Sequence, residues 1–229
     1  MSKQFNPASR ARLTSHDSGR FSGTTLFDRI GRVVCEAGCL PRKELFEAWA
    51  VARRVRRLCR GGRVVDLGAG HGLLAQVLLL LDDSSPSAVV VDTAIPPSAE
   101  KVHQTLVAAW PRLAGRVEFL RQSMDSVDIL PDDIVVSSHA CGRLTDVVID
   151  RALPARARVA VLPCCHDLDV CETGDLDGWM DGALAVDVMR AGRLRAADYR
   201  VWTLSIPGEI TPKNRLLIGC PARPSAPSR

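Results

Sequence analysis

The sequence predicts an α/β fold on a mostly parallel seven-stranded sheet, and three observations predict it. Seven short β-branched runs recur after residue 62, most of them separated by longer stretches with helical spacing. Most of the runs are almost continuously apolar, the pattern of strands buried on both faces rather than of a half-solvated sheet. The chain has 229 residues, 46% of them hydrophobic, with a formal charge of only +4, so it can bury one sizeable core without disulfide or metal support. Disorder, collagen-like repeats and coiled coil are excluded for its body.

Taken in order, residues 1–22 are polar and Arg/Ser-rich, and a flexible end is expected there. Residues 23–62 are expected to form a helical cap. Within them Leu45, Trp49, Ala52, Val55 and Cys59 recur at three- and four-residue spacing, between Pro41, which can start a helix, and Gly61-Gly62, which can stop one. The other face of that helix carries Arg53, Arg54, Arg56, Arg57 and Arg60. The main domain spans 63–220. Strands are predicted at 63–67, 87–92, 116–120, 133–137, 157–162, 199–205 and 214–220, and helices near 72–81, 97–110, 143–152 and 177–191. Only a loop joins the last two strands, so they should pair as an antiparallel hairpin. The Pro/Ser tail 221–229 is expected to be flexible.

Charge is segregated along the chain. Residues 1–63 carry 14 Lys+Arg against 5 Asp+Glu, residues 64–189 carry 8 against 19, and residues 190–229 carry 8 against 2, so two basic ends flank an acidic middle. Such ends either solvate separate faces or meet an anionic partner. No apolar run of 18 residues exists and no secretory signal is visible, so a cytoplasmic chain without a membrane span is expected. The eight cysteines do not form a secreted disulfide framework, and reduced thiols are expected.

The strongest signal is VVDLGAGHG at 64–72: a strand carrying Asp66, then Gly68, Ala69, Gly70 and Gly72, then the apolar helix LLAQVLLLL. A dinucleotide-binding turn would need glycine where Leu73 stands. The G-x-G-x-G pattern after an acidic strand instead resembles motif I of the class I S-adenosylmethionine-dependent methyltransferases. The resemblance implies a Rossmann-like sheet of strand order 3-2-1-4-5-7-6 with its last strand antiparallel, an added N-terminal helix, and S-adenosyl-L-methionine as cofactor. It also implies roles. Asp66 would lie near the amino-acid end of the cofactor, Asp92 at the end of the second strand would accept the ribose hydroxyls, and Met124 and Asp125 after the third would meet the adenine.

The fourth and fifth strand ends should carry the chemistry. They read SSHACG at 137–142 and PCCH at 163–166. Three readings stay open. His139 or His166 acts as general base on a hydroxyl; or a cysteine of Cys164-Cys165 adds to a pyrimidine while Cys141 assists; or these thiols and imidazoles ligate zinc. Adjacent Cys164 and Cys165 are awkward ligands for one metal and no C-x-x-C occurs, so no metal is assigned. Buried packing is the bland alternative for any single cysteine. The HACG…TD and PCCH motifs resemble elements of the tRNA acceptor-stem 2′-O-methyltransferases and related domains, matching at His139, Cys141, Gly142, Thr145, Asp146, Cys164, Cys165 and His166. The resemblance implies O-methylation of RNA, with tRNA favoured. Arg53 and Arg57 on the leading helix, and Lys213 and Asn214 in IPGEITPKNRLLIG at 206–219, are the candidate contacts to such an acceptor. A small-molecule acceptor, or a silent cofactor-binding subunit, is the alternative.

Overall fold

The computed structural model describes residues 5–222. Its strands are β1 (Val64–Leu67), β2 (Ala88–Val91), β3 (Val117–Leu120), β4 (Ile134–Ser137), β5 (Arg158–Val161), β6 (Tyr199–Ser205) and β7 (Arg215–Pro221). They form one sheet of order β3-β2-β1-β4-β5-β7-β6, as expected from the motif resemblance. Strands β1 to β5 pair in parallel, and β7 lies antiparallel between β5 and β6. Every residue of β1, β2 and β4 is buried, which is why those runs carry no polar alternation apart from Asp66 and Ser137.

Six helices cover the sheet: α1 (Leu26–Ala37), α2 (Arg42–Leu58), α3 (Leu73–Leu81), α4 (Ser98–Ala109), α5 (Leu144–Ala155) and α6 (Gly182–Ala196). Helix α3 buries all but its last residue. Its one polar side chain, Gln76, is satisfied at both ends, by the Gly72 carbonyl at 3.2 Å and by Nδ1 of His103 at 2.9 Å. Helix α2 packs on α3, burying Leu45, Ala48, Val51, Ala52 and Val55 and leaving Arg53, Arg56 and Arg57 exposed.

Three expectations need correction. Residues 5–22, read from composition as a loose end, are packed: Leu13 and Phe21 are buried, and the rings of Phe5, Phe21, Phe27, Phe46 and Trp49 form a chain with centroids 5.2–6.2 Å apart. The helical cap expected over 23–62 holds two helices rather than the one placed there by spacing, α1 preceding α2. Thr25, whose Oγ1 accepts from the amide of Asp28, caps α1, and Gly38 at φ 70° ends it. Helix α6 starts at residue 182 rather than near 177, because Asp181 accepts from the Leu184 amide and sets the N-terminus there. The tail 223–229 lies outside the described residues.

Candidate active site

The carboxyl edge of the sheet opens into a cavity of about 430 Å³. Its walls come from the turn after β1 (Gly68, Gly70, His71), the end of β2 (Asp92, Thr93), the segment after β3 (Gln122, Ser123, Met124, Asp125), the loop after β4 (His139, Ala140) and Glu44 of α2. Five of the predicted cofactor residues, Gly68, Gly70, Asp92, Met124 and Asp125, are therefore brought together. So is His139, whose side chain is exposed there.

Asp66, Ala69 and Gly72 stand behind this wall rather than in it. Asp66 is 1% exposed and accepts from the Ala75 amide in the first turn of α3, so it supports the glycine turn from beneath. Burial, reinforced by the charges of Glu44 and Asp92 and opposed by the Ala75 amide, pushes its carboxyl up to about 8. Gly72 sits at φ 68°, and a Cβ there would come 2.7 Å from Val90, so this glycine serves helix-to-strand packing.

Two wall residues were missed. His71, the second variable residue of G-x-G-x-G, places Nδ1 3.2 Å from Oε1 of Glu44 and Nε2 2.9 Å from Oγ of Ser98. The only ionisable side chain within a glycine turn was the signal for His71. Glu44 had none, because its distance from the motif in sequence hides the reach of α2.

Next to the cavity, the loops after β4 and β5 are bonded to each other. The Gly142 amide, at φ 57°, donates to the Cys165 carbonyl at 3.1 Å. Thr145 Oγ1 donates to the Ala140 carbonyl at 2.6 Å, and the buried Arg190 donates to the Gly142 carbonyl at 2.9 Å. Arg190 also reaches both oxygens of Asp146, at 3.1 and 2.7 Å, and Oδ1 of Asp187 at 3.2 Å. The T-D pair of the motif thus fastens the loop.

His166 belongs to the same network. Its side chain is 2% exposed, and Nε2 meets Oδ1 of Asp187 at 2.8 Å, while Nδ1 is buried with no hydrogen-bond partner among the described residues. The hydrogen bonds from His166 and Arg215 hold the Asp187 carboxyl below the usual carboxylate range despite its burial. The Sγ atoms of Cys141, Cys164 and Cys165 lie within 4.8 Å of one another. Burial is the main cause that pushes the Cys164 and Cys141 thiols up.

The remaining predicted contacts divide. Arg53 and Arg57, with Arg54, Trp202, Leu204 and Ser205, line a separate cleft of about 460 Å³ between α2 and β6. Desolvation, then the charges of Arg53 and Arg57, pull the Arg54 guanidinium below its ordinary value. The segment between β6 and β7 emerges at the carboxyl edge, since β6 runs parallel to β5 and ends there. Lys213 is exposed in it, but Asn214 is committed to the hairpin: its side chain donates to the Ile206 carbonyl at 3.0 Å and its own carbonyl accepts from the Ile206 amide at 2.9 Å.

A family model described as a methyltransferase domain matches residues 47–169, more than half of the chain. The chain belongs to this methyltransferase-domain family. Its cofactor is S-adenosyl-L-methionine, and the cavity fits that group. A Cβ on Gly68 would stand 3.8 Å from Cε of Met124 and from the Ala140 amide, inside the cavity, and one on Gly70 would project into open space. Asp92 takes only one backbone amide on each oxygen, from Gly70 and Ala94 at 2.9 Å, and keeps lone pairs for a diol.

Solved structures share the fold at low identity. An O-methyltransferase family protein from Burkholderia thailandensis is 20% identical, with a TM-score of 0.52 over 92% of this chain and 63% of that one. The mitomycin 7-O-methyltransferase MmcR is 18% identical, with a TM-score of 0.52 over 93% and 65%. The precorrin-6y C5,15-methyltransferase from Geobacter metallireducens is 13% identical, with a TM-score of 0.51 over 77% and 88%. The chain thus spans less than two thirds of the length of the first two. A comparison with curated proteins gives no match. Among the described residues no helix is long and apolar enough to cross a membrane.

Proposed function

We propose that residues 63–220 transfer a methyl group from S-adenosylmethionine to a hydroxyl oxygen of RNA, a tRNA-like molecule being the favoured acceptor, with residues 23–62 as a cap that helps to hold it. The observation that carries the choice of acceptor is the cleft of Arg53, Arg54 and Arg57 beside Trp202. Guanidinium forks suit phosphate, and an indole offers a stacking face to a base.

When bound, S-adenosylmethionine supplies a methyl carbon activated by its sulfonium. The chain's own contribution is positional. Asp92 would take the ribose hydroxyls, while Met124 and Asp125 would face the adenine. His139, on the wall of the same cavity, would take the proton of the acceptor hydroxyl. His166 is too buried to touch an acceptor and acts as a positioning residue through Asp187. Cys141 and Cys164 take no covalent part in this reading, because burial raises their thiols and so disfavours the nucleophilic thiolate.

A second reading has its own observation. A largely apolar pocket of about 530 Å³, walled by Pro163, Leu184, Val188, Leu204 and Leu217, opens between α6 and the β6–β7 hairpin and would suit a small organic acceptor. One experiment separates the two: incubate the protein with methyl-labelled cofactor, total RNA and a metabolite extract. Label in tRNA that disappears with Arg53→Glu and Arg57→Glu supports the first reading. Label in the metabolite fraction alone overturns it.

A further inference from the structure

The loops after β4 and β5 hold three thiols that neither packing nor the methyl transfer requires. Cys141 and Cys165 are exposed and Cys164 is half-buried, so they do not fill the core. Their sulfurs nevertheless converge within 4.8 Å, although two of them are adjacent in sequence. Residues 162–167 follow β5 without regular secondary structure, so Cys164 and Cys165 are released from the side-to-side alternation of a strand. The Gly142 to Cys165 hydrogen bond and the Arg190 contact to Gly142 hold the third loop position in register.

We propose that Cys141, Cys164 and Cys165 form a site for one thiophilic divalent cation, zinc, with its fourth position open to solvent. Tetrahedral zinc bound at about 2.3 Å per sulfur spaces its sulfurs about 3.8 Å apart, so the loops need to close only slightly. Three soft donors select zinc over the oxygen-seeking cations magnesium and calcium. His166 does not belong to the sulfur group. Its pairing with Asp187 anchors the residue that follows Cys165, which fixes the loop carrying two ligands. The loop carrying the third also carries His139 and Ala140, so the cation would brace one wall of the cofactor cavity. The open position distinguishes this site from a closed structural zinc. The inference does not depend on the choice of acceptor.

The test is metal analysis of the full chain purified under reducing conditions and reconstituted with zinc, beside Cys141→Ser, Cys164→Ser, Cys165→Ser and, as control, Cys39→Ser. The expected result is one zinc per chain in the parent and the control, with affinity at least tenfold weaker in each of the three variants. If a variant fails to fold, cobalt substitution of the parent protein decides, since three thiolate ligands give sulfur-to-cobalt charge-transfer absorption at about one cobalt per chain. Absence of stoichiometric zinc and of that absorption would overturn the site. So would zinc retained by all three variants, or a disulfide among these cysteines in freshly reduced protein.

Discussion

Arg190 and Asp146 form an ion pair, Nη2 to Oδ2 at 2.7 Å, that joins α6 to the first turn of α5 from inside the protein. The Arg190 side chain is 1% exposed and carries the charges of both Asp146 and Asp187. Replacing it with leucine leaves Asp146 and Asp187 without the partner they share. The expected loss is about 3–5 kcal/mol, read as a lower urea midpoint with unchanged slope. A loss below about 1 kcal/mol would mean that Arg193 and Arg215 already satisfy both acids.

Asp66 gives a pH-dependent prediction. The folded chain keeps its proton up to about pH 8, whereas an unfolded chain releases it near pH 4. Stability from this group is therefore full below about pH 4 and lost as the pH rises through 8. Asp66→Asn, which keeps an acceptor for Ala75, should gain about 1–3 kcal/mol at pH 8.5 and nothing at pH 4. Thermal melts at both values check this, and equal shifts at the two would contradict it.

Two glycines of one turn should separate binding from folding. Gly70→Ala meets no atom within 4 Å, so the fold loses only about 1–2 kcal/mol for its positive φ while cofactor affinity falls tenfold or more. Gly72→Ala drives a Cβ to 2.7 Å from Val90, and its main cost is stability, about 2–4 kcal/mol. Calorimetric titration with S-adenosylmethionine beside denaturation of both variants would show whether the two effects part.

If His139 takes the acceptor proton, His139→Ala should lower the methylation rate about 10²–10⁴-fold and leave the Kd for the cofactor nearly unchanged. Rapid-quench turnover of labelled RNA measures the first quantity and equilibrium binding the second. A variant as active as the parent would move the base to another group, with His71 the next candidate on the wall.

Much of this architecture was legible because it rests on short-range chemistry. Buried strands must be apolar, so β1, β2 and β4 announced themselves, and the positive φ of Gly68, Gly70 and Gly72 made the turn visible as spacing. What escaped depends on contacts between distant segments. Glu44 reaches the cavity because α2 docks on α3, and Asp66 retreats from it because the first turn of α3 claims its carboxylate. Thr145 and Asp146 looked like part of a reactive motif, and the structure gives them the work of holding the loop that presents His139. Leu13 and Phe21 lie in a polar stretch whose average composition concealed two anchoring side chains.

Helix α2 touches the cofactor cavity with Glu44 and the arginine cleft with Arg57. These positions are thirteen residues apart on one straight element, about 20 Å at 1.5 Å per residue. The helix therefore works as a caliper. A ligand a few ångströms across can occupy one jaw or the other, but only one extended over about 20 Å can reach both at once. Acceptor length becomes a selectable quantity set by a single helix.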